Sequence, residues 1–177
     1  MFRNKPQRVD QDSLQTCWAA AMTSFVKSSP NYYDKQTRNS VSKDGFVDYY
    51  SDLPGGALKP LSEDTDRGLI PLVWDYKLVT ASYGHLLGQS LSTFVGNVLR
   101  NGSYVVITYR SYLDQQSNFM WWHAVVGYGV SGSKISVMDP NRSRAVYLTR
   151  DEGFFTSVQN GNSTDGKYQL IFHESAS

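Results

Sequence analysis

Chemistry has few places to start in this chain. Cys17 is the only thiol, and the only imidazoles are those of His85, His123 and His173. A thiol attacks a carbonyl as the thiolate, so a nucleophilic cysteine needs something that lowers its pKa. The exposed N–H groups at a helix start do this, and so does a neighbouring imidazolium. Cys17 heads the alanine-rich run Cys17-Trp18-Ala19-Ala20-Ala21-Met22, whose apolar spacing predicts a helix. With no histidine in the first 84 residues, folding has to carry the base in from a distant element. His123 opens the run His123-Ala124-Val125-Val126-Gly127-Tyr128-Gly129 behind two tryptophans. A strand fixes a ring better than a loop does, and Trp121 and Trp122 could help to exclude water. His85, in a Tyr-Gly-His-Leu-Leu stretch, and His173, on the last strand or just past it, have no partner pattern. Both read as structural.

An imidazole acting as a base is oriented through its second nitrogen. The predicted strand from Lys134 to Met138 follows a turn near Ser131 to Ser133, and this hairpin returns Asp139 to the side of His123. Taken alone, Asp139-Pro140-Asn141 is an ordinary strand-ending turn. Acyl transfer also needs donors for a developing oxyanion. The backbone N–H of Cys17 can be one, and a side-chain amide just upstream another, for which both Gln11 and Gln15 qualify. The plain alternative for a lone cysteine is a small buried hydrophobe.

The elements that must position these groups follow from periodicity. Trp18, Ala21, Met22, Phe25 and Val26 share one face of the first helix, which Thr16 or Ser13 could cap and Ser29-Pro30 ends. A second helix is predicted over Asp66 to Tyr76. A third carries Leu91, Phe94, Val95, Val98 and Leu99 on one face and stops at Asn101-Gly102. A short fourth begins near Thr149, with Glu152 at capping-box distance. Strands are predicted at Tyr104 to Tyr109, His123 to Gly129, Lys134 to Met138, Ala145 to Leu148 and Tyr168 to Phe172. Ser131-Gly132 is a tight linker, and Asn160-Gly161-Asn162 marks a loop. The stretch from Ser29 to Pro60 lacks periodicity and reads as ordered loop with at most short helices. Helices first and antiparallel strands after is an α+β pattern, with no glycine-rich loop placed to hold a nucleotide.

Gln11, then Cys17-Trp18-Ala19-Ala20, then His123-Ala124-Val125-Val126-Gly127-Tyr128, then Val137-Met138-Asp139-Pro140 resembles the papain-like cysteine peptidase superfamily. More closely, the set looks like its bacterial branch of C39-like domains and effector proteases of plant pathogens. The resemblance runs from Gln11 to about Pro140. It implies an α+β papain-like fold, with the nucleophile at a helix start packed against an antiparallel half-barrel. It implies one catalytic domain over 1–177, a helical lobe at about 11–102 and a β lobe at about 103–174. The roles it implies are nucleophile for Cys17, base for His123, orienting group for Asp139, with Asn141 as a substitute, and oxyanion donor for Gln11 in preference to Gln15.

The totals bound the rest. At 177 residues with 40% hydrophobic content the chain can bury a core. Seventeen basic against sixteen acidic side chains give a net charge of +1, which argues against nucleic acid or a membrane surface as partner. No apolar run approaches the roughly 20 residues that span a bilayer. The polar start, with Arg3, Lys5 and Arg8, shows no secretory signal peptide, and the short stretch before Gln11 leaves no papain-type prosegment. One cysteine forms no internal disulfide and no thiolate metal site. No cofactor or metal is expected. The expected partners are a protein or peptide substrate and, for a toxin, a cognate inhibitor or immunity protein. The expected location is the producer's cytoplasm or, for an effector, a target cell. The same acyl-enzyme would equally serve a peptidoglycan amidase, a deamidase or a deubiquitinase. A C39-like domain that only binds peptides is the non-catalytic alternative.

Overall fold

The structure is a computed structural model, and it describes residues 1–12, 16–50, 69–82, 86, 88–112, 120–141, 146–156 and 168–174. Its centre is α1 (Cys17–Lys27), in which every residue from Cys17 to Val26 is buried. A helix covered all round needs small side chains where backbones approach closely, and Ala19, Ala20 and Ala21 have no exposed surface. Two short helices follow, α2 (Lys35–Ser40) and α3 (Lys43–Tyr50). Asp34 caps α2 by accepting the Thr37 N–H at 2.7 Å. Phe46 and Tyr50 of α3 join the core beside α1. Next come α4 (Leu69–Asp75) and β1 (Leu78–Ser82).

The expected second helix therefore begins at Leu69 among the described residues, and a strand follows it that the sequence pattern did not suggest. Lys77, at φ 53°, makes the turn between them. The helix α5 (Leu91–Arg100) has the expected face and caps. Ser90 accepts the Thr93 N–H, and Gly102, at φ 98°, closes the end while its N–H bonds Leu99 O.

Among the described residues, six strands form one open antiparallel sheet in the order β1-β6-β2-β3-β4-β5. They are β1, β2 (Val105–Tyr112), β3 (Met120–Ser131), β4 (Lys134–Met138), β5 (Tyr147–Asp151) and β6 (Tyr168–His173), with α6 (Glu152–Thr156) between the last two. Successive side chains in a strand point to opposite faces. Val106, Ala124, Val126, Met138 and Ile171 accordingly share a core with α1, α3 and α4. Val105, Ile107, Tyr109, Val125, Ile135, Val137 and Leu170 share another with α5 and Phe155 of α6. Both faces of the central strands are covered, which is why β3 reads as an almost unbroken apolar run.

The segment ahead of Gln11 is bound to the fold throughout. The N–H of Arg3 bonds Tyr128 O, and the N–H of Val130 bonds Met1 O, beyond the end of β2. Tyr104 and Tyr147 hydroxyls donate to Asn4 O and Pro6 O, and Ser24 Oγ to Gln7 O. Arg3 and Lys5 lie over the rings of Tyr104 and Tyr147. This strap delivers Gln11 to the end of β4, where its N–H bonds Pro140 O at 2.9 Å.

Candidate active site

Two adjacent strands and the head of α1 converge on one imidazole. The β3–β4 register pairs Val126 with Met138 and Gly127 with Val137. Continued by one step, it sets Asp139 opposite Val125, so His123 is a diagonal neighbour on the same sheet face, within reach of a long side chain. The contact is made: His123 Nε2 lies 2.7 Å from Asp139 Oδ1, with the two side chains 14% and 3% exposed. Asp139 is itself fixed, its N–H donating to Val146 O and its Oδ1 accepting the Asn141 N–H at 2.9 Å. Asn141 thus supports Asp139 through its backbone, and the aspartate is the group on the ring.

Cys17 lies close enough to the His123 ring to raise the imidazole's pKa. Cys17 is only 1% exposed, yet its surroundings are not purely aliphatic. Burial alone would push the pKa of His123 down. The hydrogen bond to Asp139, the nearness of Cys17 and the charges of both overcome that and hold it up at about 9. Such an imidazole stays protonated at neutral pH and is able to stabilise a thiolate beside it.

Thr16 stands at the N-cap of α1 but makes no side-chain cap bond. The first-turn N–H groups of α1 have no intrahelical acceptor in any helix, so the Cys17 N–H is suited to an incoming anion. Gln11 is buried at 6% exposure, and its Oε1 has no hydrogen-bond partner among the described residues. A buried carboxamide atom without a partner costs about 1–3 kcal/mol. Turned over by 180°, the same amide offers an N–H at that point. Asp12, next in the chain, is tied to Lys43 of α3.

Gln15, His85 and the side chains of Trp121 and Trp122 lie outside the described residues. Trp18 is core, 5% exposed. His173 sits far along the sheet from Asp139, stacked at 3.7 Å on Tyr32 and packed on Phe25 and Tyr33. One side chain at the site went unnoticed in the sequence. Tyr109 of β2 is paired directly with His123, and the rings meet edge to face with centroids 5.7 Å apart. Nothing but its place on a strand could have signalled it. Among the described residues, no group of three or more His, Cys, Asp or Glu side chains is placed to hold a metal ion. No described helix is long and apolar enough to cross a membrane.

No family model matches the sequence, and no curated protein is significantly similar to it. Among solved structures, the chain is similar to a Bacillus anthracis protein provisionally named a C39-like peptidase. The TM-score is 0.58 at 14% identity, over 99% of this chain and 98% of that one. The chain has the fold of that C39-like protein. The likeness spans both helices and sheet, so the expected α+β architecture holds along nearly the whole length, and where a half-barrel was expected the antiparallel sheet is open.

Proposed function

We propose that this protein is a cysteine peptidase working through Cys17, His123 and Asp139. The observation that carries the reading is the imidazole of His123 bonded to a buried carboxylate, with the chain's only thiol close enough to raise its pKa. In the reaction, the Cys17 thiolate attacks the carbonyl carbon of a peptide bond. The oxyanion is held by the Cys17 N–H and the Gln11 side-chain amide. Protonated His123 gives its proton to the leaving amine as the C–N bond breaks. Neutral His123 then takes a proton from water, which attacks the acyl-enzyme and releases the acid. The thiolate leaves as the protonated imidazole's partner, restoring the starting pair. Asp139 holds the ring in the orientation that serves both transfers.

A substrate must part the side chains over Cys17 before attack, because the sulfur is almost wholly covered. That coverage favours a second reading, a structural thiol in a peptide-binding domain. A structural thiol has no need of an imidazole oriented by a carboxylate, and this supports catalysis. The fold of a C39-like protein supports peptide amides as the substrate class. The resemblance to effector proteases supports a protein of another cell as the target, with an inhibitor or immunity protein in the producer. An amidase, deamidase or deubiquitinase would run the same steps on a different acyl group.

The deciding experiment digests a proteome-derived peptide library, sacculi and folded proteins with wild type and with Cys17→Ala, and reads products by mass spectrometry. New peptide termini with wild type alone are expected. Equal cleavage by Cys17→Ala, or no product from any substrate, would overturn the proposal.

A further inference from the structure

One hydrogen bond does not fix an imidazole ring. Asp139 holds the His123 ring at Nε2, and the ring is still able to turn about that contact. A rocking ring loses alignment with sulfur and carboxylate together. A packing contact on the ring would hold it.

Tyr109 supplies such a contact. It is directly opposite His123 in the β2–β3 pairing, is 3% exposed, and meets the imidazole at an interplanar angle of 89°. Two further ring contacts form a backing. Phe155 and Phe154 of α6 meet the Tyr109 ring with centroids 5.1 and 5.5 Å away. The helix α6 is pinned at its first residue: the Glu152 N–H donates to Ser133 O, and Glu152 Oε2 accepts the Ser92 N–H of α5 at 2.7 Å. Rigid contacts therefore run from α5 through α6 to Tyr109 and end on the imidazole. Arg150 lies over Phe154 at 5.0 Å. Asp139 bonds the ring, and Cys17 and Asp139 are the groups whose charges act on it.

We propose that Tyr109, backed by Phe154 and Phe155, is the positioning residue that holds His123 in line with Cys17 and Asp139. This rests on the catalytic reading of Cys17 and His123 but adds a residue and an element to it. The aromatic ring matters, and its hydroxyl does not carry the role. Aromatic pairs of this kind contribute about 0.5–1.5 kcal/mol beyond burial, so the loss should be partial.

The test measures the pH dependence of Cys17 alkylation by iodoacetamide on the intact protein, alongside kcat and KM on a cleaved peptide. Alkylation needs no substrate, so it separates the two proposals. If wild-type Cys17 shows no thiolate reactivity at pH 6 above its pH-independent background, the catalytic reading itself fails. Given a wild-type plateau between two limbs, Tyr109→Leu, which keeps apolar bulk, should narrow that plateau by more than about 0.5 pH unit. It should also lower kcat roughly 2- to 13-fold with KM little changed. Tyr109→Phe should restore both. A Tyr109→Leu protein with wild-type plateau and kcat overturns the inference, as does a Tyr109→Phe protein no better than Tyr109→Leu. Where Tyr109→Leu does not fold, Phe154→Leu removes only the partly exposed part of the backing. It should narrow the plateau in the same sense, and an unchanged plateau there counts against the inference equally.

Discussion

At the scale of single residues, Asp139 has the most demanding position. A carboxylate 3% exposed is tolerable only with partners, and it has them in His123 Nε2 and the Asn141 N–H. Asp139→Asn keeps the shape and removes the charge. The imidazole then loses both its charge-assisted bond and an attractive charge, so its pKa falls from about 9 toward the ordinary value. We predict that the alkaline limb of the pH–rate profile moves to lower pH and that kcat falls roughly 10²- to 10⁴-fold. KM should change much less, since the residue does not touch substrate. Steady-state kinetics between pH 5 and 9.5 would check this. An unshifted alkaline limb would mean that Asp139 does not act through the ring.

At the scale of elements, the site depends on how closely α1 lies on the sheet. Ala124 of β3 is fully buried in the core that holds Cys17, Ala21 and Met22. A larger side chain there has to lift the helix, and with it the thiol, away from His123. Ala124→Leu is predicted to cost about 1–3 kcal/mol of stability, as overpacking does, while activity falls by far more than the fraction unfolded accounts for. Urea titration beside kcat would separate the two losses. Much of this was open to reading in the sequence, because it rests on local patterns. The alanines of α1, the face of α5, and the bounds of β4 at Lys134 and Met138 follow from periodicity and turn residues. The approach of Asp139 to His123 follows from a hairpin with a short turn. What stayed hidden is held by long-range or non-hydrophobic contacts. The strand β1 exists through pairing with β6, nearly a hundred residues away in sequence. The helix α2 buries none of its residues, so it leaves no apolar stripe. The strap from Met1 to Gln11 is fixed by tyrosine hydroxyls and backbone bonds, which composition does not report.

For the whole molecule, two histidines tilt stability in opposite directions with pH. His173 is 5% exposed, packed among Phe25, Tyr32 and Tyr33, with no partner for its Nε2 among the described residues, and burial lowers its pKa to about 4. An unfolded histidine titrates near 6.5. Between those values the unfolded chain binds more protons, so His173 stabilises the fold above pH 6.5 and that contribution drains away as pH falls toward 4. His123 is the reverse. Its pKa of about 9 exceeds the unfolded value, so its contribution is complete below pH 6.5 and is lost as pH rises through 9. With a net charge of only +1, general charge repulsion adds little slope near neutrality. The melting temperature should therefore peak near pH 6.5 and decline on both sides. The acid arm from His173 is worth on the order of 3 kcal/mol at full protonation, or several degrees in a chain of this size. Replacing the imidazole by a ring that cannot charge should flatten that arm alone. His173→Phe is predicted to keep more of its melting temperature at pH 5 than wild type does, while both decline alike toward pH 9. Calorimetry across pH 5 to 9 checks this, and parallel acid arms in the two proteins would show that His173 does not titrate in its aromatic box.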